Sequence, residues 1–255
     1  LKLVFMFFIK KISIDTETVF LGTPYGGWSF IENDNLYDSV IISAGAGEDI
    51  SFDIEFINKY NSKVIFIDPT PRALSHLEET VKNLGVKKTK SYDLNGGKQE
   101  INSYDLENIK KDKIVIIDKA LTNKSNEKIK FYKPKEKEFV SHSISNWINN
   151  YSKDTDFIEV ETISISEIVE IYNLSNVTLL KLDIEGAENI VIPDILDKKI
   201  FPDQILVEFD EIHGPYFRAY KSAFFIFFKL LINGYKLVTT AMFPDFLFVK
   251  KNIIS

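Results

Sequence analysis

Two apolar runs that each end in a polar signal constrain this chain more than any other feature. Residues 39–43 read Ser-Val-Ile-Ile-Ser and lead into the turn Ala-Gly-Ala-Gly at 44–47, and residues 64–67 lead into Asp68. A glycine turn between a strand and a helix, with a carboxylate after the next strand, builds a nucleoside site in doubly wound sheets. The pattern therefore predicts a Rossmann-like α/β fold with a pocket at its strand ends.

Strand and helix patterns alternate along the sequence, which is typical of a parallel sheet with helices on both faces. The predicted strands are 39–43, 63–68, 113–118, 178–183 and 204–209, and the predicted helices are 49–60, 71–84, 166–174 and 216–232. Two further strands, 235–240 and 246–250, are joined by a link too short for a crossover helix. We therefore expect about seven strands, mostly parallel, with an antiparallel strand at the C-terminal end.

Two of the predicted helices carry additional signals. Thr70 is placed to cap a helix that begins at Pro71 and ends at Gly85. The helix at 216–232 carries large apolar side chains at helical spacing, and we expect them to form core. They are Phe217, Tyr220, Phe224, Phe227 and Leu231.

One domain is expected over residues 39–255, preceded by an extension at 1–38. Within the extension, the Gly- and Pro-rich residues 22–28 predict a lid-like loop before the first sheet strand. The apolar run at 1–9 is shorter than the ~20 residues of a membrane span, and we expect it to pack as a strand or a helix. A segment at about 122–165 breaks the alternation, and we interpret it as a rim insertion that shapes a substrate pocket.

Composition narrows the function classes. The 255 residues include 37 acidic and 31 basic side chains, for a net charge of −6, and the basic residues are dispersed along the chain. This balance does not predict nucleic-acid binding and favours small-molecule or neutral substrates. The sequence has no cysteine, which excludes disulfides, a thiolate nucleophile and Cys-ligated metals and is compatible with the cytoplasmic location that we expect.

The glycine turn favours a cationic cofactor over a dinucleotide. Gly45 and Gly47 allow close approach of a ligand, but Ile50 stands where a dinucleotide motif has its third glycine. Glu48 and Asp49 would also repel a pyrophosphate, whereas the ammonium and sulfonium of S-adenosylmethionine suit them. The alternative is that these carboxylates only favour the start of the next helix.

The other cofactor contacts follow from the strand ends. Asp68 is placed to accept the ribose hydroxyls, the adenine is expected beside Ala120, and the cationic methionine end is expected near Asp183. The full set of predicted cofactor contacts is Gly45, Ala46, Gly47, Glu48, Asp49, Asp68, Pro69, Ala120 and Asp183.

Three segments also carry a resemblance to a known family. They are residues 43–53, residues 66–71 and, most specific, Lys-Leu-Asp-Ile-Glu-Gly-Ala-Glu at 181–188. From about Gly22 to the C-terminus the chain resembles the FkbM methyltransferase family. Many members carry Asp, Asn and Gly where this sequence has Ser43, Gly47 and Asp49. The resemblance implies a class I methyltransferase fold, S-adenosylmethionine as cofactor and, typically, O-methylation of a sugar or natural-product hydroxyl.

Methyl transfer to an alcohol needs a group that removes the hydroxyl proton. Such a base is expected at the strand ends, where sheets of this kind bind their ligands. The candidates are Asp183, Glu185, Glu208, His142 and His213. His76 is not expected in the site, Glu185 and Glu188 have an alternative role at the start of the next helix, and no metal site is predicted.

Two other functions remain open from the sequence. An NAD(P)-dependent oxidoreductase on the same kind of sheet would also use a Gly-x-Gly turn and a distant Asp. A catalytically silent nucleoside-binding module would keep the fold without the reaction. The acceptor and the oligomeric state are not predicted.

Overall fold

A computed structural model describes residues 2–133, 143–144, 155–209, 212, 217–240 and 245–254. In chain order its helices and strands are α1 (Lys2–Ile12), β1 (Val19–Leu21), β2 (Trp28–Phe30), β3 (Val40–Ala44), α2 (Ser51–Tyr60), β4 (Lys63–Ile67), α3 (Pro71–Lys82), β5 (Ile114–Ile117), β6 (Ala120–Leu121), β7 (Lys128–Tyr132), β8 (Phe157–Ile163), α4 (Ile165–Ile171), β9 (Leu179–Leu182), α5 (Glu188–Asp197), β10 (Gln204–Glu208), α6 (Phe217–Ile232), β11 (Tyr235–Val238) and β12 (Asp245–Lys250).

The central sheet has seven strands within the described residues, in the order β11-β12-β10-β9-β3-β4-β5. Strands β5, β4, β3, β9 and β10 pair in parallel, whereas β12 runs antiparallel to both β10 and β11. The predicted mixed α/β fold with a mostly parallel sheet is confirmed. Strands β3 and β9 are neighbours although they are far apart in sequence, so the order of strands reverses between them and a crevice opens at their carboxyl ends.

Alternating side chains of the strands build a core on each face of the sheet. In β3, Ile41 packs with α2, α3 and the β1–β2 hairpin, whereas Ile42 and Ala44 pack with α1, α4, α5 and α6. Strands that are buried on both faces carry continuous apolar runs rather than alternating ones. This explains why short runs such as residues 39–43 were recognisable in the sequence.

The core face of α6 differs from the predicted one. Phe217, which we expected in the core, is 70% exposed, and Phe224 and Leu231 are only partly buried. The buried face consists of Ala219, Tyr220, Ala223, Ile226, Phe227 and Leu230. The small side chains of Ala219 and Ala223 lie on the inward face. The buried face of α6 therefore differs from the one predicted from the large side chains alone.

The N-terminal extension and the predicted insertion form elements outside the central sheet. The apolar N-terminal run forms α1, whose Phe5 is fully buried, and β1 and β2 pair as a hairpin around the predicted loop. In the predicted insertion, β8 pairs with β6 and β7 to form a separate small sheet. The described part of the chain contains no helix that is both long and apolar enough to cross a bilayer.

Candidate active site

A cleft lies at the carboxyl ends of β3, β4 and β9. It is open to solvent on one side, and the empty space within it and at its mouth amounts to about 870 Å³. Its walls include every residue that the sequence predicted as a cofactor contact: Gly45, Ala46, Gly47, Glu48, Asp49, Asp68, Pro69, Ala120 and Asp183. Glu185 also lines the cleft, whereas Glu208 lies at the end of β10, outside its walls.

The two glycines of the turn have different constraints. Gly45 has φ +80°, and a Cβ there would lie 1.7 Å from the carbonyl oxygen of Asp183, so this position tolerates no side chain. Gly47 has φ +56°, but a Cβ there would meet no atom within 4 Å. Gly45 therefore serves the close packing of β3 against β9, and Gly47 leaves its side of the cleft open.

Asp68 holds the glycine turn. Its Oδ2 accepts hydrogen bonds from the amides of Ala46 (3.0 Å) and Gly47 (3.2 Å). Its Oδ1 accepts from the amide (2.8 Å) and the hydroxyl (2.7 Å) of Thr70. These four bonds match the roughly four lone-pair positions of a carboxylate. Thr70 occupies the N-cap position of α3, as predicted, but its hydroxyl bonds to Asp68 and makes no capping bond to the helix.

Glu48 is buried between two cations. One carboxylate oxygen pairs with Arg72 and the other with Lys98 (2.9 Å). Burial alone would raise the pKa of Glu48, but the hydrogen bonds and charges of Lys98 and Arg72 hold that pKa below its ordinary value. Its charge is therefore already compensated by the protein.

Asp49 fastens a loop over the cleft. It accepts hydrogen bonds from the hydroxyl of Thr23 (2.6 Å), the side-chain amide of Gln99 (3.2 Å) and the backbone amide of Ser51 (3.0 Å). The loop between β1 and β2 is thereby held against the glycine turn, where Tyr25 and the following Trp28 line the cleft. This loop therefore borders the cleft, and its function as a lid stays a prediction.

Lys181 is a buried cation in the cleft wall that sequence reasoning did not assign to the site. Its ammonium donates to the carbonyl oxygen of Gly45 (2.9 Å) and lies 5.6 Å from the centre of the Trp28 ring. The side chain is 3% exposed. Its position in the most specific block of the sequence, two residues before Asp183, was the available signal.

Carboxylates with raised pKa values gather at the ends of β9 and β12. Burial raises the pKa of Asp183, Lys181 opposes the shift and the charge of Asp68 adds to it. Burial likewise raises the pKa of Asp245 to about 7, with the charge of Asp183 adding to the shift and Lys181 opposing it. Asp245 lies opposite Glu208 in the register of β10 and β12.

Asp245 was missed although the sequence held the signal for it. The last strand was expected to run antiparallel, and an antiparallel strand begins at the edge where its parallel neighbours end. The first residue of β12 therefore had to lie beside the carboxyl ends of β9 and β10.

The loop between β9 and α5 is held by Glu188. Its two carboxylate oxygens accept from the amides of Ile184 (2.8 Å) and Gly186 (2.8 Å), and burial raises its pKa well above the ordinary value. This matches the alternative role of Glu188 at the helix start. Glu185 has φ +53°, and its carbonyl oxygen accepts from the hydroxyl of Ser143 (2.6 Å).

The far end of the cleft is apolar. Leu121, Phe131 and Ile144 join Ala120 there. Phe131 belongs to β7 in the predicted rim insertion, so this part of the insertion does border the cleft. Sequence reasoning placed the insertion at the rim but did not single out Phe131 or Ile144.

The histidines do not contribute to the described site. His142 and His213 lie outside the described residues. His76 is buried beside Tyr104, with Nε2 2.9 Å from the phenol oxygen, and burial lowers its pKa. It does not line the cleft. No group of three or more His, Cys, Asp or Glu residues within the described ranges could hold a metal ion.

Comparison with known proteins adds the family. The family model for the methyltransferase FkbM domain matches residues 42–237, which run from β3 to β11 and contain most of the chain. Searches of curated proteins and of solved structures found no match. The matched residues include the glycine turn, Asp68 and the loop after β9, which form a large part of the cleft walls. This chain belongs to the FkbM methyltransferase family.

Proposed function

We propose that the protein transfers a methyl group from S-adenosylmethionine to a hydroxyl of a sugar, glycan or other small-molecule acceptor. Family membership supplies the reaction class, and the resemblance in sequence supplies the acceptor class. The main structural support for a cofactor site is the open space beside Gly47 at the carboxyl edge of the sheet, where a ligand can contact the backbone.

The cleft suits the two ends of this cofactor. Its apolar end, with Ala120, Leu121 and Phe131, offers a surface for an adenine, and Asp68 is the acceptor for the ribose. The four hydrogen bonds of Asp68 are already made within the protein, so a ribose hydroxyl would replace the bond from the Thr70 hydroxyl, which is the one bond not made by a backbone amide.

We place the positively charged methionine end of the cofactor at the glycine turn. Because Arg72 and Lys98 compensate Glu48, the carboxylates of Asp49 and Asp183 are the better partners for an ammonium or a sulfonium. The three donors on Asp49 are neutral, so its negative charge stays uncompensated by them. Lys181 fixes the Gly45 carbonyl and thereby the backbone of the turn.

The cofactor supplies an electrophilic methyl group on sulfur, and the protein must orient the acceptor and remove its proton. Asp183 lines the cleft and is our first candidate for the proton acceptor. Asp245 is a second candidate: it lies outside the cleft walls but close enough to Asp183 for the two charges to interact, and a carboxylate with a pKa near 7 accepts a proton efficiently at neutral pH. Glu185, His142 and His213 remain candidates from the sequence, and Glu208 would act through Asp245, its cross-strand neighbour.

Calorimetry with Gly47→Asn tests the cofactor site. Asn adopts positive φ more readily than other side chains, and here its side chain would extend into the cleft. We expect at least a tenfold loss of S-adenosylmethionine affinity with little change in melting temperature. Gly85→Asn is the matched control, because Gly85 also has positive φ (+88°) and open space but lies at the end of α3, away from the cleft. Equal affinity in the two variants would overturn the placement of the cofactor.

A thermal-shift titration of the wild type separates the alternatives. Stabilisation by S-adenosylmethionine and by S-adenosylhomocysteine supports the proposal, whereas stabilisation by NAD alone supports an oxidoreductase. Stabilisation by a nucleoside cofactor without formation of any methylated product would favour a catalytically silent nucleoside-binding module. Mass spectrometry of glycans and small metabolites for a product heavier by CH₂ then identifies the acceptor.

A further inference from the structure

The outer faces of α1 and α6 carry large apolar side chains that nothing in the described structure covers. On α1, Leu3 is 85% exposed and Phe7 is 72% exposed, and on α6, Phe228 is 61% exposed. The rings of Phe5 and Phe8 on α1 contact Phe224 on α6 at centroid distances of 4.9 and 4.8 Å, so the two helices lie side by side. We call their exposed surface the α1–α6 face; it consists of Leu3, Val4, Phe7, Lys10, Lys11, Phe217, Lys221, Phe225, Phe228 and Ile232.

The charge of this face is opposite to that of the protein. The two helices contain Lys2, Lys10, Lys11, Arg218, Lys221 and Lys229 and no acidic residue, although the whole chain has 37 acidic and 31 basic side chains. The basic residues are dispersed in the sequence, and it is the packing of α1 on α6 that brings them together. Lys229 pairs with Asp197 (2.8 Å) at the border with α5.

Cations and apolar side chains share the same surface. On α1, Leu3, Phe7, Lys10 and Lys11 follow helical spacing, so both lysines lie beyond the apolar pair on the exposed side. On α6, Lys221, Phe225, Phe228 and Ile232 also fall on one face. Exposed Phe, Leu and Ile together with Lys and Arg characterise helices that lie in the interface of an anionic bilayer, with the lysine ammonium groups at the headgroups.

We propose that the α1–α6 face binds the surface of an anionic lipid bilayer. The helices would lie in the plane of the membrane, with the phenylalanine rings among the acyl chains and the basic residues at the phosphates. The charge decides between occupants, because a second copy of this face would bring its three lysines, Lys10, Lys11 and Lys221, against the same three lysines of the first. The proposal does not depend on the proposed methyl transfer.

The first test is co-sedimentation of the full chain with vesicles of phosphatidylcholine and phosphatidylglycerol, with pure phosphatidylcholine vesicles as reference. We expect binding to the anionic vesicles that weakens with added salt. The variant Lys10→Glu/Lys11→Glu should lower the partition constant by about tenfold or more, because it reverses two charges at the surface. Lys110→Glu/Lys111→Glu makes the same change at exposed residues before β5 and should leave binding within about twofold.

The second test removes apolar contacts without changing charge. Phe7→Ser/Phe228→Ser should lower vesicle binding about tenfold or more, whereas Leu94→Ser, at a residue 62% exposed elsewhere, should not. Both changed residues are solvent-exposed, so circular dichroism should show an unchanged fold. Absence of binding to anionic vesicles would overturn the proposal. So would a dimer in lipid-free buffer that the double serine variant abolishes, because the face would then be an interface between two copies.

Discussion

The carboxylates in the cleft and just outside it differ in what surrounds them. On the side of β3 and β4, Glu48, Asp49 and Asp68 accept hydrogen bonds from protein donors, and nearby cations lower the pKa of Glu48. On the side of β9 and β12, burial raises the pKa values of Asp183 and Asp245. The first group holds the loops of the cleft in place, and the second contains the two carboxylates that we propose as proton acceptors. Proximity to a cleft therefore does not assign a role to a carboxylate, but its partners do.

The largest loss of stability is expected where the β3 side of the cleft packs against the β9 side. Gly45→Ala would place a methyl group 1.7 Å from the Asp183 carbonyl oxygen, so we expect a loss of about 4 kcal/mol or more in the free energy of unfolding. Gly47→Ala introduces only backbone strain and should cost about 1–2 kcal/mol. Urea denaturation measures both. Similar losses in the two variants would show that the sides are not joined through Gly45.

The next effect tests whether Asp68 maintains the turn. Asp68→Ala removes all four hydrogen bonds and leaves three backbone amides without this acceptor, so we expect a loss of about 2–4 kcal/mol in stability. The sequence assigned Asp68 only to the ribose of the cofactor and not to the turn. Thr70→Val removes one of the four bonds and should cost about 1 kcal/mol. If Asp68→Ala is no less stable than Thr70→Val in urea denaturation, Asp68 does not hold the turn.

A smaller effect is expected at Glu48. Glu48→Gln removes the charge between Arg72 and Lys98 and should cost about 1–2 kcal/mol near neutral pH. The pKa of Glu48 is lowered on folding, so its contribution is present above the unfolded pKa and disappears as the pH falls through the folded value. Wild type and variant should therefore converge in acid. Glu100→Gln, in an exposed pair with Lys90, is the control and should change stability by less than about 0.5 kcal/mol.

The last effect is a gain and not a loss of stability. The pKa of Asp245 is raised on folding, so its ionisation destabilises the native state increasingly as the pH rises from about 4 to about 7. Asp245→Asn should remove this dependence and stabilise the protein near pH 8 by about 3–4 kcal/mol while changing little near pH 4. Thermal unfolding across this pH range measures the difference. Asp15→Asn, at an exposed residue, is the matched control, and equal profiles for the two variants would contradict the raised pKa.

Sequence reasoning recovered the framework because the framework depends on local patterns. Buried strands such as 39–43 are continuous apolar runs, and the helix that begins at Pro71 has local start and stop signals. Strands β1 and β2 have three residues each, too few for a period to be visible. The face of α6 was wrong at Phe217 because small alanines, and not the largest side chains, lie against the core.

The sequence predicted which residues line the cleft but not the hydrogen bonds and ion pairs that they make. The sequence identified the residues that line the cleft because parallel strands end at one edge. It did not show that Glu48 pairs with Lys98 or that Asp49 bonds to Thr23 and Gln99, since these partners lie 26 to 50 residues away along the chain. Such pairings arise only when loops are folded together, and they decide which carboxylates remain for chemistry.

The place of β12 in the sheet has a consequence for biosynthesis. It lies between β10 and β11, both of which leave the ribosome before it. The segment after α1 also lacks its partner until β11 has been made. The amide of Ile14 donates to the carbonyl oxygen of Leu237 (2.9 Å), and the carbonyl oxygen of Ile14 accepts from the amide of Thr239 (3.0 Å). Until β12 emerges, β10 presents an open, apolar edge of the kind that recruits other chains. The nascent protein therefore completes its sheet only after residues 245–250 have emerged, and its exposure to misassembly is greatest just before then.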